Sequence, residues 1–280
     1  MLTIDLHCHS SCSDGTLAPA QVVARAAQRG CRVLALTDHD GVAGLAEARA
    51  AASVVGLCLI DGVEISVSWD GLTIHVVGLN VDPLHPQLLA GLASVRAGRL
   101  ARAERMAADL ARVGIGGSLA GALALAERPE MISRTHFARF LVESGKVKDI
   151  RAAFRKFLVK GKPGYVPHQW ASLPDAIGWI HQAGGVAVLA HPGRYEIGRA
   201  RMLRLLTEFK AQGGDAVEVV TSNHTLDHVR QFTRLAQEFK LLASCGSDFH
   251  SPDEPYADFG QLQPMPADCR VVWEGWGLTV

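Results

Sequence analysis

The chain has 280 residues, 48% of them hydrophobic, which suits one large α/β barrel or two ordinary domains and excludes a disordered chain. Lys+Arg and Asp+Glu both number 28, so no global field draws the chain to a polyanion, and any affinity for phosphate must come from local placement. The start, MLTIDLHCHS, lacks the basic and apolar regions of a signal peptide, no apolar run reaches the ~18 residues of a membrane span, and the six cysteines show no CxxC spacing. These features predict free thiols in a reducing compartment, hence a cytoplasmic protein without membrane contact.

Residues 3–6 read as a strand followed by a Ser/Gly/Asp loop. Periodicity predicts a helix over 19–29 that stops at Gly30, a strand over 32–36, a polar turn over 37–41, a helix over 45–53 and a strand over 57–60. Segments 65–69 and 73–79 flank Asp70-Gly71 and read as a hairpin. From 84 to 162 the chain becomes helix-rich and heavy in Ala, Arg and Leu. We read 100–165 as a helical insertion capping the active site, and 1–99 with 166–280 as the barrel that carries it. Further on come helix 174–182, strand 186–190, helix 202–212, strand 216–220, helix 226–239 and strand 242–245, with 269–280 as a candidate final strand. This alternation predicts parallel strands with helical crossovers.

Polar residues concentrate where these strands end. His7 and His9 close the first strand, with Asp14 in the loop beyond; Asp38 and His39 follow the second, and Glu64 the third. His75 lies in the next strand, His191 ends strand 186–190, and Asp248 and His250 follow strand 242–245. The C-terminal strand ends of a parallel barrel share one face, so these residues should converge. His7 and His9 are an i, i+2 pair, which on a strand points both imidazoles one way and Cys8 the other. A lone histidine at a strand end is more often structural; the whole set is not explained that way. His85, His168, His181, His224 and His228 lack this placement and read as structural, as do Trp170, Trp179, Trp273 and Trp276. Nitrogen and carboxylate ligands without thiolate suit Mn, Fe or Zn. Nine candidates, namely His7, His9, Asp14, His39, Glu64, His75, His191, Asp248 and His250, exceed the three protein ligands of one catalytic zinc and imply two or three ions.

The motifs Asp5-Leu6-His7-Cys8-His9-Ser10, Ser13-Asp14-Gly15, Leu36-Thr37-Asp38-His39-Asp40, Gly62-Val63-Glu64-Ile65, His75-Val76-Val77-Gly78, Ala190-His191-Pro192 and Gly246-Ser247-Asp248-Phe249-His250 resemble those of the PHP (polymerase and histidinol phosphatase) family. The resemblance implies a distorted (βα)7 TIM-like barrel with a trinuclear metal centre. It implies one ion on His7, His9, Glu64 and Asp248, a second on Glu64, His75 and His191, and a third on Asp14, His39 and His250.

Ile132-Ser133-Arg134-Thr135-His136-Phe137-Ala138-Arg139 and Lys160-Gly161-Lys162-Pro163-Gly164-Tyr165-Val166 are similar to the stand-alone bacterial branch of that family, which holds nucleoside 3′,5′-bisphosphate phosphatases and 5′-to-3′ exoribonucleases acting on short RNA. The expected reaction is hydrolysis of a nucleotide phosphate by a hydroxide bridging two ions, preferably manganese, held by His7, His9, Glu64, His191 and Asp248. Arg134 and His136, read as a compact cationic pair, and Arg194 are expected to hold the substrate's phosphates; Lys160 and Lys162 are weaker candidates. Two rival readings remain: a histidinol-phosphate phosphatase, and a non-catalytic metal-stabilised module of the same fold. No obligate protein partner is expected.

Overall fold

The computed structural model describes residues 3–277. Its sheet has seven strands in the order of the chain: β1 (Ile4–Asp5), β2 (Val33–Leu36), β3 (Cys58–Trp69), β4 (Leu72–Leu79), β5 (Val186–Leu189), β6 (Ala216–Thr221) and β7 (Leu242–Gly246). Strand β2 is buried along its whole length, as a strand covered on both faces must be, and so carries no polar alternation. The ring closes between its first and last strands. Leu6 N–H donates to the Cys245 carbonyl at 2.9 Å, Asp248 N–H to the His7 carbonyl at 2.8 Å and His9 N–H to the Phe249 carbonyl at 2.9 Å. The expected α/β barrel is therefore present, and closure itself draws segments 7–9 and 248–250 together.

Two expectations are corrected. The segments predicted as 57–60 and 65–69 form one strand of twelve residues, β3. Gly62 does not interrupt it, because a Cβ there would lie 2.7 Å from Thr37 Cγ2: the glycine marks close strand approach, not a break. The sheet is also not wholly parallel. Strand β4 runs antiparallel to both β3 and β5. Asp70 and Gly71 have φ of 47° and 72°, the pair of positive values that a two-residue hairpin turn needs, and so short a turn can only reverse the chain. In this register His75 stands opposite Ser66, two residues from Glu64, so Glu64, Ser66 and His75 share one face.

Helices α1 (Pro19–Gln28) and α2 (Leu45–Val55) follow β1 and β2, and α3 (Pro86–Ala97) follows β4. Then come α4 (Arg99–Arg112), α5 (Ser118–Ala124), α6 (Arg134–Glu143) and the short α7 (Ile150–Ala153), continued by a π-helical turn over Phe154–Leu158. Helices α8 (Leu173–Gln182), α9 (Arg199–Ala211) and α10 (Leu226–Glu238) separate the last strands. The main core joins the barrel strands to α3, α8, α9 and α10. A second apolar cluster draws all its buried members from 103–166, among them Met106, Leu110, Phe137, Leu141 and Leu158. Phe137 is fully buried there, and its truncation to alanine should cost about 3–5 kcal/mol.

The candidate strand over 269–280 is corrected too. Val271 makes one parallel bridge to Ala243, and Val272–Trp276 coils into a 3-10 helix; residues 278–280 of that segment lie outside the described residues. No helix among the described residues is long and apolar enough to cross a membrane.

Candidate metal centre and phosphate cleft

Strand β1 stops after two residues, and the extended run that follows carries His7 and His9. Cys8 between them turns away and donates its thiol to the Ala35 carbonyl at 3.2 Å, while the two Nε2 atoms meet at 3.2 Å. At the centre lies the fully buried Glu64 carboxylate. Oε1 is 2.9 Å from His75 Nδ1, 3.0 Å from His191 Nε2 and 3.3 Å from His7 Nε2. Oε2 is 2.8 Å from His39 Nδ1 and 3.3 Å from His9 Nε2. Asp248 Oδ1 stands 3.3 Å from His9 Nε2 and 3.5 Å from His7 Nε2. Asp14 Oδ1 is 3.2 Å from His250 Nε2 and 3.8 Å from His39 Nε2. The fold thus gathers all nine sequence candidates at one mouth.

Their atoms suit cations. Glu64 Oε2, Asp14 Oδ1, His9 Nδ1 and His39 Nδ1 are buried and, though close to other groups of the cluster, make no hydrogen bond of good geometry among the described residues, a costly arrangement for Lewis bases unless something positive joins them. Burial opposes a charge on Glu64, but the imidazoles of His75, His39 and His7 hold its carboxyl well below the usual range, so it stays ionised. Burial pushes His9 down to about 3 and His75 down to about 4, whereas, against burial, the carboxylates beside them raise His7, His39 and His250, the last to about 9, so an ion binding there would displace protons from those three rings. Four groups of donor atoms lie within 4.8 Å of one another: His9, Asp14, His39 and His250; His7, His9 and Asp248; His7, Glu64 and His191; His39, Glu64 and His75. This grouping differs from the partition that the family resemblance implies. His9 joins the Asp14 set, and His75 groups with His39, although His75 Nδ1 also stands 3.3 Å from His191 Nε2.

Backbone strain marks the same place. His191 and Asp248 have φ of 27° and 56°, a region that costs a side-chain-bearing residue on the order of 1–2 kcal/mol. Glu218 holds the first of these, accepting the His191 backbone N–H with Oε2 while Oε1 takes His7 Nδ1–H at 2.7 Å. His224 supports the turn after His191: its Nδ1–H donates to the Val219 carbonyl at 2.9 Å and its Nε2 accepts from Gly193 N–H at 3.1 Å. Asp38 shapes the loop to Asp14 by accepting from Ser10 N–H at 2.7 Å and from the Ser13 hydroxyl at 2.6 Å.

Guanidinium groups line the rest of the cleft. Arg134 opens α6, its Nη1 donating to the Leu158 carbonyl at 3.4 Å and its charge lying over the Phe154 ring. Arg102 donates from Nε to the Val166 carbonyl at 3.0 Å and lies over Trp170. Burial, helped by Arg134 and Arg99, pulls Arg102 down to about 9. Neither Arg134 nor Arg102 has a carboxylate partner among the described residues, so their charges await an anion. Arg99 pairs with Asp40, and Arg194 with Asp248 at the cluster's edge.

The expected cationic pair of Arg134 and His136 is not what the fold builds. His136 is buried, and its Nδ1 accepts from Ser133 N–H at 3.0 Å, closing the capping box of α6. Burial pushes it down to about 4. It is a neutral helix cap, and Arg134 carries the charge alone.

The family model of the PHP domain matches residues 5–166, more than half of the chain. The chain belongs to the PHP domain family. This PHP chain is 55% identical to a 3′,5′-nucleoside bisphosphate phosphatase of Chromobacterium violaceum, over 98% of its own length and 96% of the relative's. It is 47% identical to a 5′-3′ exoribonuclease of Haemophilus influenzae, over 96% and 97% of the two chains. Its structure is similar to that of an amidohydrolase from Chromobacterium violaceum solved with bound sulfate and no metal, with a TM-score of 0.94, 55% identity and coverage of 97% and 94%. The candidate metal-dependent phosphoesterase of Bifidobacterium adolescentis gives a TM-score of 0.81 at 28% identity, covering 97% and 93%.

Several residues of this PHP site escape a linear reading. Glu218 offers one signal, a lone carboxylate in the apolar strand Ala-Val-Glu-Val-Val-Thr. Arg99 and Arg102 sit on a helix with ordinary surface spacing, and nothing local tells them from the exposed arginines of α4.

Proposed function

We propose that this chain is a metal-dependent phosphoesterase that removes the 3′-phosphate of nucleoside 3′,5′-bisphosphates and also trims short 5′-phosphorylated RNA as a 5′-to-3′ exonuclease. The observation that carries the reading is the juxtaposition of nine His, Asp and Glu donors, six buried and three half-buried, with two guanidiniums, Arg102 and Arg134, that lack a protein anion. The activities of the Chromobacterium and Haemophilus relatives support it. Its finer points are manganese as the ion, two or three ions per chain, and 100–165 as a cap over the site.

His7, His9, Asp14, His39, Glu64, His75, His191, Asp248 and His250 would hold the ions, with Glu64 shared between them. Bound there, Mn, Fe or Zn ions would supply a nucleophile at neutral pH and neutralise charge on the reacting phosphoryl group. The protein's own side chains supply position. Arg134 and Arg102 bind the phosphate that does not react, their forks matching its oxygens. Arg194, held by Asp248, places a third cation beside the reacting phosphate. Glu218 orients His7 and the His191 backbone. Histidinol phosphate fits less well, since its cationic amine would face the guanidiniums of Arg99, Arg102 and Arg134.

The test is phosphate release with Mn²⁺ across nucleoside 3′,5′-bisphosphates, nucleoside monophosphates, histidinol phosphate and short 5′-phosphorylated RNAs. One extra charge-assisted contact is worth ~1.5–3 kcal/mol, so kcat/KM for bisphosphates should exceed that for monophosphates by roughly ten- to a hundredfold. Equal rates on both, or preference for histidinol phosphate, would overturn the reading.

A further inference from the structure

The charge that is balanced over the whole chain is not balanced over residues 144–165. This stretch holds Lys146, Lys148, Arg151, Arg155, Lys156, Lys160 and Lys162 against one acid, Asp149. All seven basic side chains are exposed. Among the described residues only Lys148 has an acidic neighbour, Asp149 at 3.7 Å. Elsewhere on the surface Arg25 and Arg29 share Asp258, Arg49 meets Asp61, and Arg201 and Arg204 share Asp70, while Arg32, Arg105, Arg199, Arg234 and Arg270 are exposed singly, without a run of neighbouring cations like that of 144–165. The cap segment keeps its cations free.

The same segment is part of the cleft wall. Phe154 lines the cleft beneath Arg134, and the Leu158 carbonyl accepts from the Arg134 guanidinium. A chain spans at most ~3.6 Å per residue, so the Cα of Lys160 lies within about 7 Å of that of Leu158. Lys160 and Lys162 flank Gly161, whose φ of 82° makes the turn that Lys162 N–H closes on the Val159 carbonyl at 3.0 Å. Arg155 and Lys156 project from the π-helical turn beside Phe154, a rare geometry frequent at functional sites. The segment that gives the cleft Phe154 and the Leu158 carbonyl thus also carries four exposed cations without a carboxylate partner among the described residues.

We propose that Arg155, Lys156, Lys160 and Lys162 form a track for the sugar–phosphate backbone of a single-stranded oligonucleotide whose end lies in the cleft. The proposal rests on the phosphoesterase reading and adds the surface that accepts a longer strand. A series of cations without interleaved exposed aromatic rings suits contact with phosphates rather than bases, so the track should be indifferent to sequence.

The test separates binding from hydrolysis. A 5′-phosphorylated oligoribonucleotide of about ten nucleotides, fluorescently labelled at its 3′ end, is titrated with chelator-treated full-length protein across a series of salt concentrations. The variants are Arg155→Ala/Lys156→Ala and Lys160→Ala/Lys162→Ala, with circular dichroism to check the fold. Each lost phosphate contact should reduce the slope of log K against log salt by about 0.7 and weaken binding. In the Mn²⁺-loaded enzyme, kcat/KM should fall roughly tenfold more on the oligonucleotide than on a nucleoside bisphosphate, the scale of one or two charge-assisted contacts. Unchanged slopes and affinities in both variants would overturn the track. Binding of anionic lipid vesicles by the same residues, with no binding of the oligonucleotide, would overturn it as well. Failure of the phosphoesterase reading looks different: no nucleotide is hydrolysed by wild type or variant, while the binding titration still reports on the track.

Discussion

Glu218 accepts the Nδ1–H of His7 at 2.7 Å across 211 residues of sequence. With its other oxygen it accepts the backbone N–H of His191, so a single carboxylate sets both the ring orientation of one proposed ligand and the strained backbone of another. Such outer partners typically contribute 10- to 100-fold to metal affinity, and Glu218→Gln should weaken it by about that factor. Competition with a metal chelator measures the affinity, and activity should return when Mn²⁺ is added in excess. An unchanged affinity would make Glu218 a packing residue only.

Stoichiometry tests the cluster itself. Nine donors in four overlapping groups should take up more than one ion per chain, and Glu64→Ala should lower the count, since its carboxylate touches five imidazoles. Elemental analysis after loading with Mn²⁺ and desalting gives the number; one ion or fewer in the wild type would contradict the multinuclear assignment. Chelation should abolish phosphate release and lower Tm, because an ion bound at 100 times its Kd stabilises the fold by about 2.7 kcal/mol.

Arg134 and His136 should separate cleanly on mutation. Arg134→Ala removes a half-buried cation without a protein anion, and kcat/KM for nucleoside 3′,5′-bisphosphates should fall by roughly ten- to a hundredfold, with a much smaller loss on monophosphates. An equal loss on both substrates would instead place Arg134 on the reacting phosphate. His136→Ala opens the capping box of α6 and should cost about 1 kcal/mol in urea unfolding while the preference between the two substrates is kept. A changed preference would restore His136 to the phosphate site.

His224 makes stability depend on pH. Both of its ring nitrogens are engaged, one donating and one accepting, and burial lowers its pKa from 6.5 to about 4. The unfolded chain therefore takes up the proton first as pH falls below 6.5. The stabilisation is complete above that pH and is lost on acidification, by about 2 kcal/mol between pH 7 and pH 5. The pH dependence of stability in His224→Gln, read from urea midpoints at the two pH values, should be flatter than that of the wild type by this amount. Parallel curves for the two proteins would rule out His224 as the titrating group.

Much of the site was legible in the linear chain because its signals are local. His7 and His9 two apart on a strand, Asp70-Gly71 between two β-runs, and a His or carboxylate at nearly every strand end each need only the period of a strand or the chemistry of a turn to be recognised. The antiparallel course of β4 was already implicit in that turn. What the sequence by itself determined was therefore the set of donors and the face on which they meet. Tertiary structure decided the rest, because it alone sets which side chains stand opposite one another. It ran β3 unbroken through Gly62, where Thr37 leaves no room for a Cβ. It put His9 beside Asp14 as well as beside His7. It buried Arg102 without a carboxylate and turned His136 from the expected cation into a neutral cap. Burial and distant neighbours govern charge and partnership, and the barrel creates both only when its first strand closes on its last.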